Sequence, residues 1–133
     1  MRVVTALALA IWLLPGNGAL ACSCRQPTAD ELLSSSAAIF TGVAQQSRPA
    51  TQGEAVTTFR VVDGYKGVVP GQSVSVRHTS GSSASCGVRF ESGQTYTLTT
   101  YREEIGTTLF ANLCSVAVVR SPAGEELLRR LRR

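Results

Sequence analysis

Hydrophobic and polar residues alternate in part along five stretches of the chain, and this pattern predicts β-strands. The stretches are rich in β-branched and aromatic residues, which are enriched in strands. They cover Ala38–Gln46, Val56–Tyr65, Ser73–Thr79, Thr95–Tyr101 and Thr107–Leu113. Turn-forming sequences lie between them, such as Pro70-Gly71 and Ser92-Gly93. Five strands joined by turns predict an all-β domain, either a small barrel or a sandwich.

Two short helices are predicted at the ends of this all-β region. Thr28-Ala29-Asp30-Glu31 has the form of a capping box, so a helix should run from about Ala29 to Ser36. Ser121 and Pro122 have the character of an N-cap and a first helical residue, and acidic residues follow early and arginines late. The basic run Arg129–Arg133 then indicates either a solvated helix end or a surface that docks on an acidic partner.

The N-terminus has the features of a secretory signal peptide. A basic Arg2 precedes the apolar run Val3–Leu14, a Pro15-Gly16 break follows, and Ala19 and Ala21 provide small residues before Cys22. The apolar run is too short to span a bilayer, which disfavours an anchored helix. We therefore expect residues 1–21 to be a signal peptide and residues 22–133 to form one exported domain without a membrane span, secreted to an extracellular or periplasmic space.

A lipoprotein signal is the alternative interpretation of this junction, with Cys22 carrying a lipid. Such signals favour leucine three residues before the cysteine, where this chain has Ala19. Lipidation of one of the four cysteines would also leave an odd thiol in an oxidising compartment.

The four cysteines, Cys22, Cys24, Cys86 and Cys114, predict two disulfides in an exported protein. Four cysteines allow three connectivities. A bridge between Cys22 and Cys24 would close a very tight ring, which leaves two connectivities, and both tie the N-terminus to distant segments. The serine-rich stretch Ser80–Ser85 should form an exposed loop that such a bridge anchors.

Charge and composition argue against a nucleic-acid partner. The formal net charge of +4 falls to +3 when Arg2 is removed with the signal peptide, which is a mild value. The single tryptophan, Trp12, leaves as well, and the remaining aromatic residues are scattered through strands rather than grouped as a stacking platform.

Catalytic and metal-binding chemistry also find little support. The only histidine is His78, and no nucleophile-elbow motif surrounds Ser82, Ser83 or Ser85, which could be combined with it and Asp63 as a triad. We expect His78 to be a solvated surface residue. Metal binding by the Cys-x-Cys pair and His78 is disfavoured because oxidised cysteines are not ligands. The expectation is a protein that is not an enzyme and needs no cofactor.

Four short motifs, in order, resemble those of a known family. They are Cys22-Ser23-Cys24 at the predicted mature N-terminus, Tyr65-Lys66-Gly67, Cys86-Gly87 and Leu113-Cys114-Ser115. Together they resemble the netrin-like, N-terminal domain of the tissue inhibitors of metalloproteinases and its bacterial secreted relatives. The resemblance covers nearly all of residues 22–133 and implies a five-stranded OB-fold-like barrel.

The resemblance also implies a disulfide pairing, Cys22 with Cys86 and Cys24 with Cys114. The chain departs from the family in two respects, because it lacks the cysteines of the third disulfide and has no counterpart of the C-terminal subdomain of the animal inhibitors. Arg25 and Gln26 are not the residues usual in the family.

By the same resemblance, the α-amine and carbonyl of Cys22 would chelate the active-site zinc of a metalloprotease, and Ser23 would enter its substrate pocket. The implied protease contacts are Cys22, Ser23, Cys24, Arg25, Ala84 and Ser85. The function this implies is a secreted, monomeric metalloprotease inhibitor. The alternative is a secreted netrin-like interaction module without inhibitory activity, because two disulfides that fix a terminus to a barrel do not require a protease.

Overall fold

The structure, a computed structural model, describes residues 22–51, 53–82 and 85–133, so the predicted signal peptide lies outside the described residues. In chain order its elements are helix α1 (Ala29–Ser35), strands β1 (Ala38–Pro49), β2 (Glu54–Lys66), β3 (Ser73–Thr79), β4 (Thr95–Arg102) and β5 (Leu109–Ala111), helix α2 (Leu113–Ala117), a 3-10 turn (Val118–Arg120) and helix α3 (Pro122–Leu131).

The five described strands close into a barrel in the order β1-β2-β3-β5-β4, with β4 pairing back to β1. All neighbouring pairs are antiparallel except β3 and β5, which run parallel. A parallel pair requires a crossover connection, and here the chain forms β4 on its way from β3 to β5. The predicted all-β, OB-fold-like barrel is confirmed, and the sandwich is excluded.

The barrel interior is filled by one residue in two from each long strand. Phe40, Phe59, Val76 and Leu98 are completely buried there, since side chains alternate between the two faces of a strand. The ring of Phe59 meets Phe40 edge to face at 5.7 Å and meets Phe90, from the segment after β3, at 5.0 Å. Burying each such side chain contributes about 1.5–3 kcal/mol relative to exposure, so this cluster is the main source of stability for the barrel.

A second apolar cluster lies outside the barrel, where the helices cover β1. Ile39 points away from the barrel interior and packs with Leu32 of α1 and Leu127 of α3. The predicted capping box of α1 is present, with the N–H of Thr28 donating to the Glu31 carboxylate at 2.8 Å. Helix α3 likewise begins as predicted, because the Ser121 hydroxyl accepts from the N–H of Gly124 at 3.2 Å.

The arginines at the end of α3 attach it to neighbouring elements. Arg130 donates to Asp30 of α1 at 3.0 Å and to Glu126 at 2.7 Å. Arg132 lies 5.6 Å from the ring centre of Tyr65 and donates to its hydroxyl at 3.2 Å. Exposed ion pairs contribute about 0–1 kcal/mol each, so these contacts orient the helix more than they stabilise it.

The Tyr65-Lys66-Gly67 motif joins the end of β2 to the connection between α1 and β1. The Lys66 ammonium donates to the carbonyl of Leu33, near the C-terminus of α1, at 2.5 Å. Gly67 has φ = 73°, and a Cβ at this position would lie 2.5 Å from the carbonyl oxygen of Ala37. The motif therefore needs a long cation followed by a residue without a side chain, which is a packing requirement.

The predicted strand Thr107–Leu113 is wrong in its extent. Strand β5 covers only Leu109–Ala111, and the chain then turns into α2. The Asn112 side chain accepts hydrogen bonds from the backbone of Cys114 and Ser115, and the Ser115 hydroxyl accepts one from the Asn112 N–H. This reciprocal cap ends the strand and starts the helix, and it places Cys114 in the first turn of α2.

Candidate functional site

The N-terminal segment is attached to the barrel by two disulfides. Cys22 pairs with Cys86 and Cys24 pairs with Cys114, with Cα–Cα distances of 5.1 and 5.3 Å, which lie in the usual range. The pairing implied by the family resemblance is confirmed. Because the two bridges flank a single residue, the position of Ser23 is fixed from both sides.

The two anchoring cysteines on the barrel side are neighbours in space. The N–H of Leu113 donates to the carbonyl of Cys86 at 2.9 Å, so the residue before Cys114 contacts the partner of Cys22 directly. Cys86 itself has φ = 59°, which is uncommon for a residue with a side chain. The backbone bond from Leu113 and that from the N–H of Gly87 to Ser82 hold this conformation. Both bridges therefore end on one hydrogen-bonded unit.

Exposure alternates along the N-terminal segment. Cys22 and Cys24 are half-buried, whereas Ser23 and Arg25 are exposed. Extended backbone sends successive side chains to opposite faces, so the cysteines face the barrel and the hydroxymethyl group of Ser23 faces outward.

Arg25 lies beside the N-terminus of α1. Its guanidinium donates to the Glu31 carboxylate at 2.8 Å, and its side chain remains 79% exposed. The pKa of the Glu31 carboxyl is lowered, first by the hydrogen bond from the backbone of Thr28 and then by the charge of Arg25. Arg25 is thus held next to the segment that the disulfides fix, with most of its surface free for a partner.

Ser85 lies in a tight turn immediately before Cys86. Its N–H and its hydroxyl both donate to the carbonyl of Ser82, at 3.0 and 2.9 Å, and the residue is exposed. The bridge from Cys86 brings this turn next to the N-terminal segment. Ala84, the other residue expected to make a second contact here, lies outside the described residues.

A shallow groove of about 380 Å³ runs beside the Cys24–Cys114 bridge, between α1, β4 and α2. Arg25 and Pro27 form one side, and Tyr101 and Asn112 lie on the other. Tyr101 is 43% exposed and stacks on Phe110 at 5.7 Å. No sequence pattern indicated this groove, because its residues come from four separate segments.

The expectation that His78 is a solvated surface residue is wrong. Its side chain points into the barrel, and the residue is only 3% exposed. One ring nitrogen lies 2.7 Å from the hydroxyl of Thr57 and the other 3.0 Å from the carbonyl oxygen of Val88. Both nitrogens are therefore occupied, and neither Asp63 nor Ser82 or Ser85 is a partner.

Among the described residues, no group of three or more histidine, cysteine or acidic side chains is arranged to hold a metal ion. The described helices include none that combines the length and the apolar character needed to cross a membrane.

Neither a scan against protein-family models nor a search of the curated proteins finds a match for this sequence. The family resemblance therefore stays a hypothesis, and the function is inferred from the geometry of the N-terminal segment.

Proposed function

We propose that the exported form of this chain inhibits zinc metalloproteases through its N-terminal residue, Cys22. The single observation that supports this is the fixing of an outward-facing residue, Ser23, between two disulfide-bonded cysteines. A segment held in this way loses little conformational freedom on binding, which lowers the entropic cost of entering a narrow cleft.

The chemistry of the proposal concerns the water bound to a catalytic zinc. Such a zinc keeps one coordination position for water, which it activates for hydrolysis. The α-amine and the carbonyl oxygen of one residue can form a five-membered chelate that displaces this water. An α-amino group titrates at about pH 8, so a neutral nitrogen is accessible near neutral pH. Removal of residues 1–21 would create this amine on Cys22.

The residues around Cys22 would take secondary roles. Ser23 would point into the pocket that receives a substrate side chain, and its small polar group would fill a deep apolar pocket poorly. Arg25 and Ser85 are exposed beside the two bridges and would contact the rim of the cleft. We therefore expect weak selectivity, or a preference for proteases with shallow pockets.

The test compares protein that begins at Cys22 with protein that carries one additional alanine before it. The extension converts the amine into an amide, which removes the chelate but leaves both disulfides in place. Protein with an alanine added after Arg133 is the matched control. We expect inhibition of zinc proteases by the authentic and the C-terminally extended forms, and none by the N-terminally extended form, at equal thermal stability.

Equal inhibition by the authentic and N-terminally extended forms would refute the chelate. Absence of inhibition by any form, across several zinc proteases, would favour the alternative of a non-inhibitory interaction module on the same barrel.

A further inference from the structure

A second cavity lies far along the chain from the N-terminal segment, where the β1–β2 hairpin extends past the barrel. It has a volume of about 470 Å³ and lies between the end of β1, the start of β2, the end of β3 and residues 89–91. We call it the hairpin pocket. It shares no lining residue with the groove beside the Cys24–Cys114 bridge and contains none of the proposed protease contacts.

One wall of the hairpin pocket is an open strand edge. Strand β1 pairs with β4 only from Ala38 to Val43, whereas its pairing with β2 continues to Pro49. Among the described strands, residues 46–49 of β1 therefore pair with β2 alone, and Ser47, Arg48 and Pro49 of this stretch line the pocket. An extended ligand can approach the backbone of such an edge.

Two arginines line the pocket without an ion-pair partner among residues 22–51, 53–82 and 85–133. These are Arg48 and Arg89, both exposed. By contrast, the pocket's Glu54 is engaged by the Thr51 hydroxyl at 2.7 Å and lies 3.6 Å from Arg77. Guanidinium groups are strong donors to carboxylates, so the arginines provide the charge for an anionic group. Glu91, also in the lining, adds an exposed acceptor and disfavours a multiply charged anion.

A chain of three side chains determines what Ser47 offers to a ligand. A carbonyl can only accept, so the His78 nitrogen next to Val88 must carry the proton. Burial lowers the pKa of His78, so the imidazole is neutral at neutral pH and its other nitrogen accepts from the Thr57 hydroxyl. Thr57 then has no further proton, so the Ser47 hydroxyl, 2.6 Å away, donates to it. The carbonyl oxygen of Phe90 lies 3.4 Å from the same hydroxyl and is the weaker acceptor. The remaining lone pairs of Ser47 are therefore available as acceptors.

The apolar floor of the pocket is rigid. Phe90 is 6% exposed, and its ring meets those of His78, Phe59 and Tyr96 edge to face at 4.8, 5.0 and 4.9 Å. A ring held on three sides offers a preformed surface to an apolar group, and preformed surfaces reduce the ordering cost of binding.

We propose that the hairpin pocket binds a carboxylate that carries an N–H group and an apolar substituent on the adjacent carbon, as an acylated amino acid or a peptide C-terminus does. The carboxylate lies between Arg48 and Arg89, the N–H donates to Ser47, and the apolar group packs near Phe90.

The test titrates isotope-labelled protein, residues 22–133, with N-acetyl-phenylalanine at pH 7 and follows the backbone amide signals by NMR. N-acetyl-phenylalaninamide is the matched probe, since it keeps the ring and the N–H but has no charge. We expect shifts at Ser47, Ala55 and Phe90 with the acid, and affinity for the amide about tenfold lower or more. Equal affinity for both probes, or no shift at about 10 mM acid, overturns the proposal.

Substitutions of single arginines distinguish binding in the hairpin pocket from nonspecific attraction of the acid to a basic surface. Arg48→Gln and Arg89→Gln should each weaken binding of the acid by about threefold to tenfold and leave the amide unaffected. Arg102→Gln is the matched control, because Arg102 is exposed and lies outside the pocket lining. An equal loss in Arg102→Gln would contradict a specific site.

The positioning role of Thr57 has its own test. Thr57→Val removes the hydroxyl that orients Ser47 and should weaken binding of both probes. Thr57→Ser keeps this hydroxyl and should bind both probes as the unsubstituted protein does. Failure of Thr57→Ser to restore binding, in a folded variant, would refute the role of the hydrogen bonds that link Ser47, Thr57 and His78.

A peptide that ends in phenylalanine distinguishes the two sources of the ligand. Tighter binding than that of the acylated amino acid assigns the site to chain termini, and equal or weaker binding assigns it to small molecules.

Discussion

Removing either disulfide alone should destabilise the protein by the same amount, although the two bridges span different lengths of chain. The sequence separations are 64 residues for Cys22–Cys86 and 90 for Cys24–Cys114. Taken separately, loops of these lengths correspond to about 4.3 and 4.6 kcal/mol on the chain-entropy model. The relevant unfolded state, however, is one in which the other bridge is still present.

In that state the two bridges share one effective loop. With Cys24–Cys114 intact, the shortest path from Cys22 to Cys86 runs two residues to Cys24, across the bridge, and 28 residues back from Cys114. With Cys22–Cys86 intact, the shortest path between the other pair uses the same two segments. Each second bridge therefore closes a loop of about 30 residues, which corresponds to about 3.6 kcal/mol.

The assay is urea unfolding of protein that begins at residue 22. The double substitutions Cys22→Ala with Cys86→Ala, and Cys24→Ala with Cys114→Ala, should each lower the free energy of unfolding by about 3.6 kcal/mol. Removing all four cysteines should lower it by about 8 kcal/mol, which is within the total stability of many small domains. Losses from the two pairs that differ by more than about 1 kcal/mol would refute the shared-loop reasoning.

Three further predictions concern single residues. Burial lowers the pKa of His78, so the native state favours the neutral ring. The free energy of unfolding, measured with urea, should therefore fall as the pH drops below about 6.5. The His78→Gln variant should lose this pH dependence, and an unchanged dependence in the variant would contradict the prediction. Gly124→Ala should lower the melting temperature, with a loss of about 1–3 kcal/mol, because the new Cβ would overlap the carbonyl of Val118. Helix propensity alone predicts a gain of about 1 kcal/mol there, so the sign decides between the two. Lys66→Met should lower the free energy of unfolding in urea by about 1 kcal/mol, because it removes the donor to the carbonyl of Leu33. Lys66→Arg should retain most of this stability, because it keeps a donor.

The helices whose ends carry their own capping residues were predictable from the sequence. Thr28 and Glu31 close the box that starts α1, and Ser121 caps α3 as expected. Such signals are local, because the atoms that cap a helix come from residues three positions apart. Helix α2 has an equally local cap, Asn112 with Ser115. It was missed because the helix lies directly after a strand, where the apolar pattern continues.

The burial of His78 could have been found by the period of β3. Val74, Val76 and His78 are buried, whereas Ser73 and Ser75 are exposed and Arg77 is half-buried. Strict alternation places His78 on the interior face, but the identity of the residue suggested the surface. Its partners Thr57 and Val88 lie on other segments, so the hydrogen bonds that make its burial possible were not visible in the sequence.

The candidate site was also predictable from the sequence only in part. The positions of Cys22, Ser23 and Cys24 were predictable, since the spacing of two cysteines around one residue determines which side chains share a face. The contact between Leu113 and Cys86 was not, because it depends on the parallel pairing of β3 with β5, which joins segments separated by β4.

The pairing of Cys24 with Cys114 has a consequence for biosynthesis. Ribosomes make the chain from its N-terminus, so Cys22, Cys24 and Cys86 are all produced before Cys114. Until Cys114 emerges, Cys24 has only Cys22 and Cys86 to react with, and both pairings are non-native. The native bridge of Cys24 therefore forms only after Cys114 has emerged. A non-native bridge that Cys24 forms earlier has to be corrected by isomerisation, which takes seconds to hours.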